Sequence, residues 1–138
     1  MIAPARWLYK TADMTSSVQA ITFDCGNALQ LSAFWAAVLG AEVDGGNEDS
    51  GVFFQSIGMQ GSIKPAMMFI QVPEGKSAKN RMHLDLATPD MAVEVERLVG
   101  LGAAVVHEKN EHNVNWTTLT DPEGNEFCVS MPHIGDDH

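Results

Sequence analysis

The sequence predicts an α+β fold: two tandem βαβββ modules forming a cupped, barrel-like mixed sheet with the helices outside. Three observations predict it. Strand-type alternation and helix-type spacing follow one another in the same order in each half of the 138-residue chain. The punctuation repeats as well, with Asn27 and Asp90 standing before the two helical segments and Pro73 and Pro132 after the last strand of each half. Finally, Leu39-Gly40-Ala41-Glu42-Val43 is matched by Leu101-Gly102-Ala103-Ala104-Val105. The length suits one domain. We divide it into an N-terminal arm (1–17), a domain (18–132) with modules at 18–73 and 80–132, and a C-terminal tail (133–138).

In the first module, residues 18–25 (VQAITFDC) alternate as a half-buried strand does. Asn27 offers a helix N-cap. Leu31, Phe34, Trp35, Val38 and Leu39 then recur at helical spacing, so Trp35 reads as core. Gly40 suits the left-handed position that ends a helix. A short strand is expected at 41–43, a polar turn at 44–51, and two more strands in GVFFQSIG and PAMMFIQV. PEGKSAKN links the halves. In the second module RMHLDLAT is a strand, Asp90 caps a helix over MAVEVERLVGL, and Gly102 stops it. AAVVH is a short strand and EKNEHN a loop. VNWTTLT and NEFCVSM are strands joined by Asp121-Pro122-Glu123-Gly124, whose Pro and Gly suit a type I turn.

Composition narrows the function. Eighteen acids against 8 Lys and Arg give a formal charge of −10, which repels phosphate backbones and makes nucleic acid an unsuitable partner. No apolar run is long enough to span a bilayer, so no membrane partner is expected. Residues 1–17 lack the apolar stretch of a signal peptide, and two cysteines are too few for a disulfide scaffold. Free thiols in a cytoplasmic protein are the expectation.

Strand side chains alternate between faces. One face is apolar throughout: Ile21 and Phe23; Met68, Ile70 and Val72; Leu84 and Leu86; Phe127, Val129 and Met131. It is expected to pack under the helices. The opposite face, lining the cup, then contains Asp24, Met67, Phe69, Gln71, His83, Asp85, Glu126 and Cys128. Such a mixture of polar and apolar groups suits a ligand pocket. With Leu119 in the core, Trp116 lines the cup, either as a wall for a planar ligand or as a plug at its mouth. His83 is the most informative residue, because an imidazole titrates near neutral pH and serves in acid–base work. Its structural alternative is a bond across the sheet. Asp85 lies two residues on, ~7 Å along the strand, too far for an assured pair. Asp24, Asp85 and Glu126 make the cup acidic, which favours a cationic or hydrogen-bond-donating ligand. His107-Glu108 to Glu111-His112 does not make an HExxH zinc site: its histidines are five apart and the segment reads as a loop.

The segments VQAITFDCGNALQLSAFWAAVLGAEV, NRMHLDLATPD and LTDPEGNEFCV resemble the glyoxalase-like and bleomycin-resistance-like domains of the vicinal-oxygen-chelate superfamily. The resemblance covers residues 18–131 and implies the paired βαβββ fold. It also implies a choice among metal-dependent isomerases, epimerases, dioxygenases and thiol transferases, and metal-free proteins that sequester antibiotics. In the metal-dependent members each half supplies one ligand from its first strand and one from its last. Those places here are Ala20, Phe69, His83 and Cys128, of which only His83 is a conventional ligand. Two donors fall short of the three protein ligands usual at a catalytic zinc, so no metal cofactor is expected. The resemblance implies a homodimer.

The leading expectation is therefore a metal-independent small-molecule-binding protein, for sequestration or resistance, with a cationic or planar ligand. Asp24, Phe69, Gln71, Asp85, Trp116 and Cys128 are its expected binding residues. The alternative is a metal-independent isomerase or lyase with His83 and Glu126 as catalytic groups. A metal-dependent glyoxalase-type enzyme stands third.

Overall fold

A computed structural model describes residues 15–45, 53–111 and 114–132. The tail, most of the arm, and the larger part of the turn expected at 44–51 lie outside these residues. The first module contributes β1 (Ala20–Cys25), α1 (Ala28–Leu39), β2 (Phe54–Ile57) and β3 (Ala66–Gln71). The second contributes β4 (Leu84–Ala87), α2 (Met91–Leu101), β5 (Ala104–Glu111), β6 (Val114–Thr120) and β7 (Glu126–Ser130). The strands form two separate sheets, ordered β1-β3-β2 and β4-β7-β6-β5, and they do not close into a barrel. In each sheet the first strand of the module runs parallel to its last, and the remaining pairings are antiparallel.

Both helices start and stop where their local chemistry says they should. The side chain of Asn27 accepts a hydrogen bond from the Gln30 N–H at 3.0 Å, and that of Asp90 accepts from the Val93 N–H at 3.2 Å. Gly40 ends α1 at φ 62°, a left-handed conformation that favours glycine. Helix α1 packs on β2 and β3, α2 packs on β5 and β7, and the helices touch each other. They are unequal. Helix α1 buries Leu31, Phe34, Trp35 and Val38, whereas α2 fully buries Leu98 alone. The core runs across both modules, from Phe69 and Ile57 through α1 to Leu119, Phe127 and Val129.

Three expected elements differ. No strand forms at 41–43. There the Asp44 N–H makes one ladder-like bond to Ser56 O, and the Asp44 carboxylate turns the chain by accepting from the Ser56 hydroxyl and the Gly58 and Met59 N–H groups. Most of EKNEHN is not a loop but the outer half of β5, paired with β6 beyond a bulge between Val105 and His107. Its charged residues obscure it because a ladder at the exposed end of a hairpin needs no apolar face. Strand β4 is also shorter than expected, so His83 sits just before it.

Candidate functional site

The parallel pairing of β1 with β3 fixes which side chains share a face. Phe23 lies opposite Phe69, and their rings stack at a centroid distance of 5.3 Å, with Phe69 wholly buried in the core. Phe69 therefore belongs to the helix-facing side and not to the cup. The same phase puts Gln71, the register partner of buried Cys25, on that side too. These two placements correct the expectation. Residues 66–70 (AMMFI) are apolar in both phases, so alternation there does not choose between them, and pairing against Phe23 and packing on α1 decide.

The two sheets leave a cleft of about 570 Å³ between edge strands β1 and β4. This volume is of the size that small-molecule sites occupy. The rings of Phe23, Trp35 and Phe127 form its floor, with Ile21 and Leu84 beside them. Trp35 is 5.7 Å from Phe23 and 5.0 Å from Phe127, centroid to centroid. It is held in place by its indole N–H, which donates to Asp121 Oδ2 at 3.0 Å. Trp35 is thus both a core residue and the bottom of the cleft. Asp24, Glu74, Lys76, Asn80, His83 and Glu126 form the rim.

The rim carries three acids and one lysine. Glu126 accepts from the Asn80 N–H at 3.0 Å and pairs with Lys76 at 3.3 Å. The bond from the Asn80 N–H, aided by Lys76, holds its carboxyl below the usual carboxylate range. Glu126 therefore ties down the segment between the modules and stays ionised, which suits an anchor better than a general acid. Among the described residues Asp24 and Glu74 have no cationic partner.

The remaining expected residues gather elsewhere. Register pairs Asp85 with Cys128 and Cys128 with Thr118, so the three form a row across the second sheet, on the face away from Phe127 and Val129. The Thr118 hydroxyl lies 3.3 Å from Cys128 Sγ. His83 Nδ1 is 3.2 Å from Asp85 Oδ1. The pair that strand geometry had kept apart does form, because His83 precedes the regular strand and its ring folds back over Asp85. Leu119 is fully buried, and half-buried Trp116 shares the face of Thr118 and Cys128. Of the expected residues, Asp24, His83 and Glu126 line the cleft; Asp85, Trp116 and Cys128 do not. Sequence reasoning missed the floor. The apolar stripe of α1 signals Trp35 only as core, and nothing local reveals that the two sheets part beside it.

This paired arrangement and its cleft define a class. The family described as a glyoxalase-like domain matches residues 20–130, and the chain belongs to it, within the vicinal-oxygen-chelate superfamily. No curated protein matches the sequence. Among solved structures, the chain is similar to a glyoxalase/bleomycin resistance protein/dioxygenase family enzyme from Burkholderia phytofirmans PsJN. The identity is 17%, the TM-score 0.65, and the match covers 84% of this chain and 98% of that one. It is also similar to the fosfomycin resistance protein FosX from Mesorhizobium loti, at 14% identity, TM-score 0.65 and coverage of 89% and 98%. A third is a member of the same superfamily from Sphaerobacter thermophilus, at 17% identity, TM-score 0.63 and coverage of 86% and 99%. At such identities the likeness is one of fold.

The resemblance implies a divalent metal held by both halves, and the residues do not fit it. Ala20 has no donor atom, and Phe69 is a buried hydrocarbon stacked on Phe23. The first half supplies nothing at either of its two places.

Proposed function

We propose that the chain is a small-molecule-binding member of its family that takes a planar, cationic ligand in the cleft between β1 and β4. It does so without a metal centre shared between the halves. One observation carries this reading: an aromatic floor lies beneath a rim on which Asp24 and Glu74 are not neutralised. Aromatic faces attract cations, and unpaired carboxylates at the mouth add to that attraction. A role in sequestration or resistance suits such a pocket, and a fosfomycin resistance protein shares the fold.

Proflavine, a planar cation, tests it by its own fluorescence. It should bind one per chain, and a neutral tricyclic of the same outline should bind roughly tenfold more weakly. Asp24→Asn combined with Glu74→Gln should narrow that difference, and His83→Ala should weaken both ligands with little loss of stability. Equal affinity for the cation and its neutral counterpart, or binding of neither, would sink the reading.

A second reading rests on His83. With Nδ1 directed at the Asp85 carboxylate, the neutral imidazole carries its free lone pair on Nε2. His83 lines the cleft rim, and on this reading that nitrogen takes a proton from a bound ligand, as a metal-independent isomerase or lyase requires.

A further inference from the structure

We propose that the second module by itself binds a soft divalent cation, Zn²⁺ fitting best, through His83, Asp85 and Cys128. The ligating atoms of these residues all lie within 4.8 Å of one another. Donors around a tetrahedral zinc stand roughly 3.4–3.8 Å apart, as bond lengths of about 2.0–2.3 Å require. The present spread of up to 4.8 Å exceeds that spacing by about 1 Å. The backbone already fixes the convergence. Asp85 and Cys128 are register partners on adjacent parallel strands, so their side chains leave the sheet side by side. His83 comes two residues before Asp85 and reaches the same face.

The chemistry of the set selects the ion. A sulfur, an imidazole nitrogen and a single carboxylate suit zinc, whereas Mg²⁺ and Ca²⁺ take oxygen donors in greater number. Three protein ligands leave a fourth position open, and the partly exposed His83 and Asp85 side chains turn it towards solvent. The Thr118 hydroxyl, 3.3 Å from Cys128 Sγ, supports the sulfur from behind as groups next to metal ligands do.

This is not the four-cornered centre that the resemblance implies, half of which would fall on Ala20 and Phe69. All three donors come from one module, and Asp85 stands outside those four places. The expectation of no metal counted only His83 and Cys128; Asp85 makes a third donor. The proposal shares only His83 with the cleft reading, because Asp85 and Cys128 do not line the cleft.

Co²⁺ and Zn²⁺, added singly to chelator-treated protein, provide the test. One Co²⁺ per chain should give a thiolate-to-metal charge-transfer band in the near ultraviolet, which one equivalent of Zn²⁺ removes. Cys128→Ser should abolish the band. Asp85→Asn and His83→Gln, both at exposed positions, should weaken Co²⁺ by more than roughly 100-fold, beyond the loss typical of a merely supporting group. Zn²⁺ should also shield Cys128 from alkylation. Absence of the band in folded wild-type protein overturns the proposal, and so does Co²⁺ bound equally well by Cys128→Ser. Proflavine binding in Cys128→Ser should match wild type, whereas a wild-type protein that shows the band and binds no proflavine would fault the cleft reading alone.

Discussion

A thiol reacts through its thiolate, so its surroundings decide its reactivity. Cys25 is 2% exposed, and burial, with Glu123 nearby, pushes its thiol up to about 11. Cys128 is half-buried, on β7 of the second sheet. Iodoacetamide at neutral pH should therefore modify one cysteine per folded chain. Peptide mapping should place the label on Cys128, with Cys25 following only in denaturant. Prompt labelling of Cys25 in the native state would show that the core around α1 opens readily. The placement of Asp24, His83 and Glu126 on the side of the cleft was legible from alternation alone. That of Phe69 and Gln71 was not, because the strand is apolar in both phases up to Ile70 and its one polar residue, Gln71, points to the wrong phase. The contact of His83 with Asp85 was lost for a different reason: ideal strand spacing does not hold where the strand has not yet begun.

Elements show the same division between local and distant causes. Both helix caps were readable because a cap is a contact three residues long. What secures α1 was not readable, since it comes from the other module. At its N-terminus the Glu123 carboxylate accepts from the Gly26 and Asn27 N–H groups at 2.9 and 3.1 Å. At its C-terminus Arg97 of α2 donates to Ala37 O at 3.0 Å and Val38 O at 2.8 Å. A negative group at the start of a helix and a positive group at its end both oppose the helix dipole favourably. Arg97→Ala should cost about 1–2 kcal/mol in urea unfolding, because two carbonyls lose a charged donor. A change within error would mean that water replaces the guanidinium. The hydrogen bond from Arg97 also holds the Glu94 carboxyl below its ordinary 4.5. This contribution is fully present above pH 4.5 and disappears as the pH falls through the lowered folded-state value. Wild type should therefore lose more stability than Arg97→Ala on acidification.

At the scale of the whole molecule, the paired βαβββ plan was legible because order and punctuation repeat, while the parting of the sheets was not. The plan suggests two equal units, and the packing contradicts that. Helix α1 meets Phe127 through Phe34 and Trp35, and the Trp35 indole ends on Asp121. A chain cut between Ser77 and Ala78 should consequently yield a first fragment without fixed tertiary packing. Mixing it with the second fragment should restore the near-ultraviolet dichroism of the intact protein. A first fragment that folds cooperatively alone would refute this. The turn at 121–124 thus serves a helix encoded some ninety residues earlier. A substitution at Glu123 is written in one repeat and felt in the other, so the two copies must now diverge as one inheritance, each change in either being judged by the fit of both.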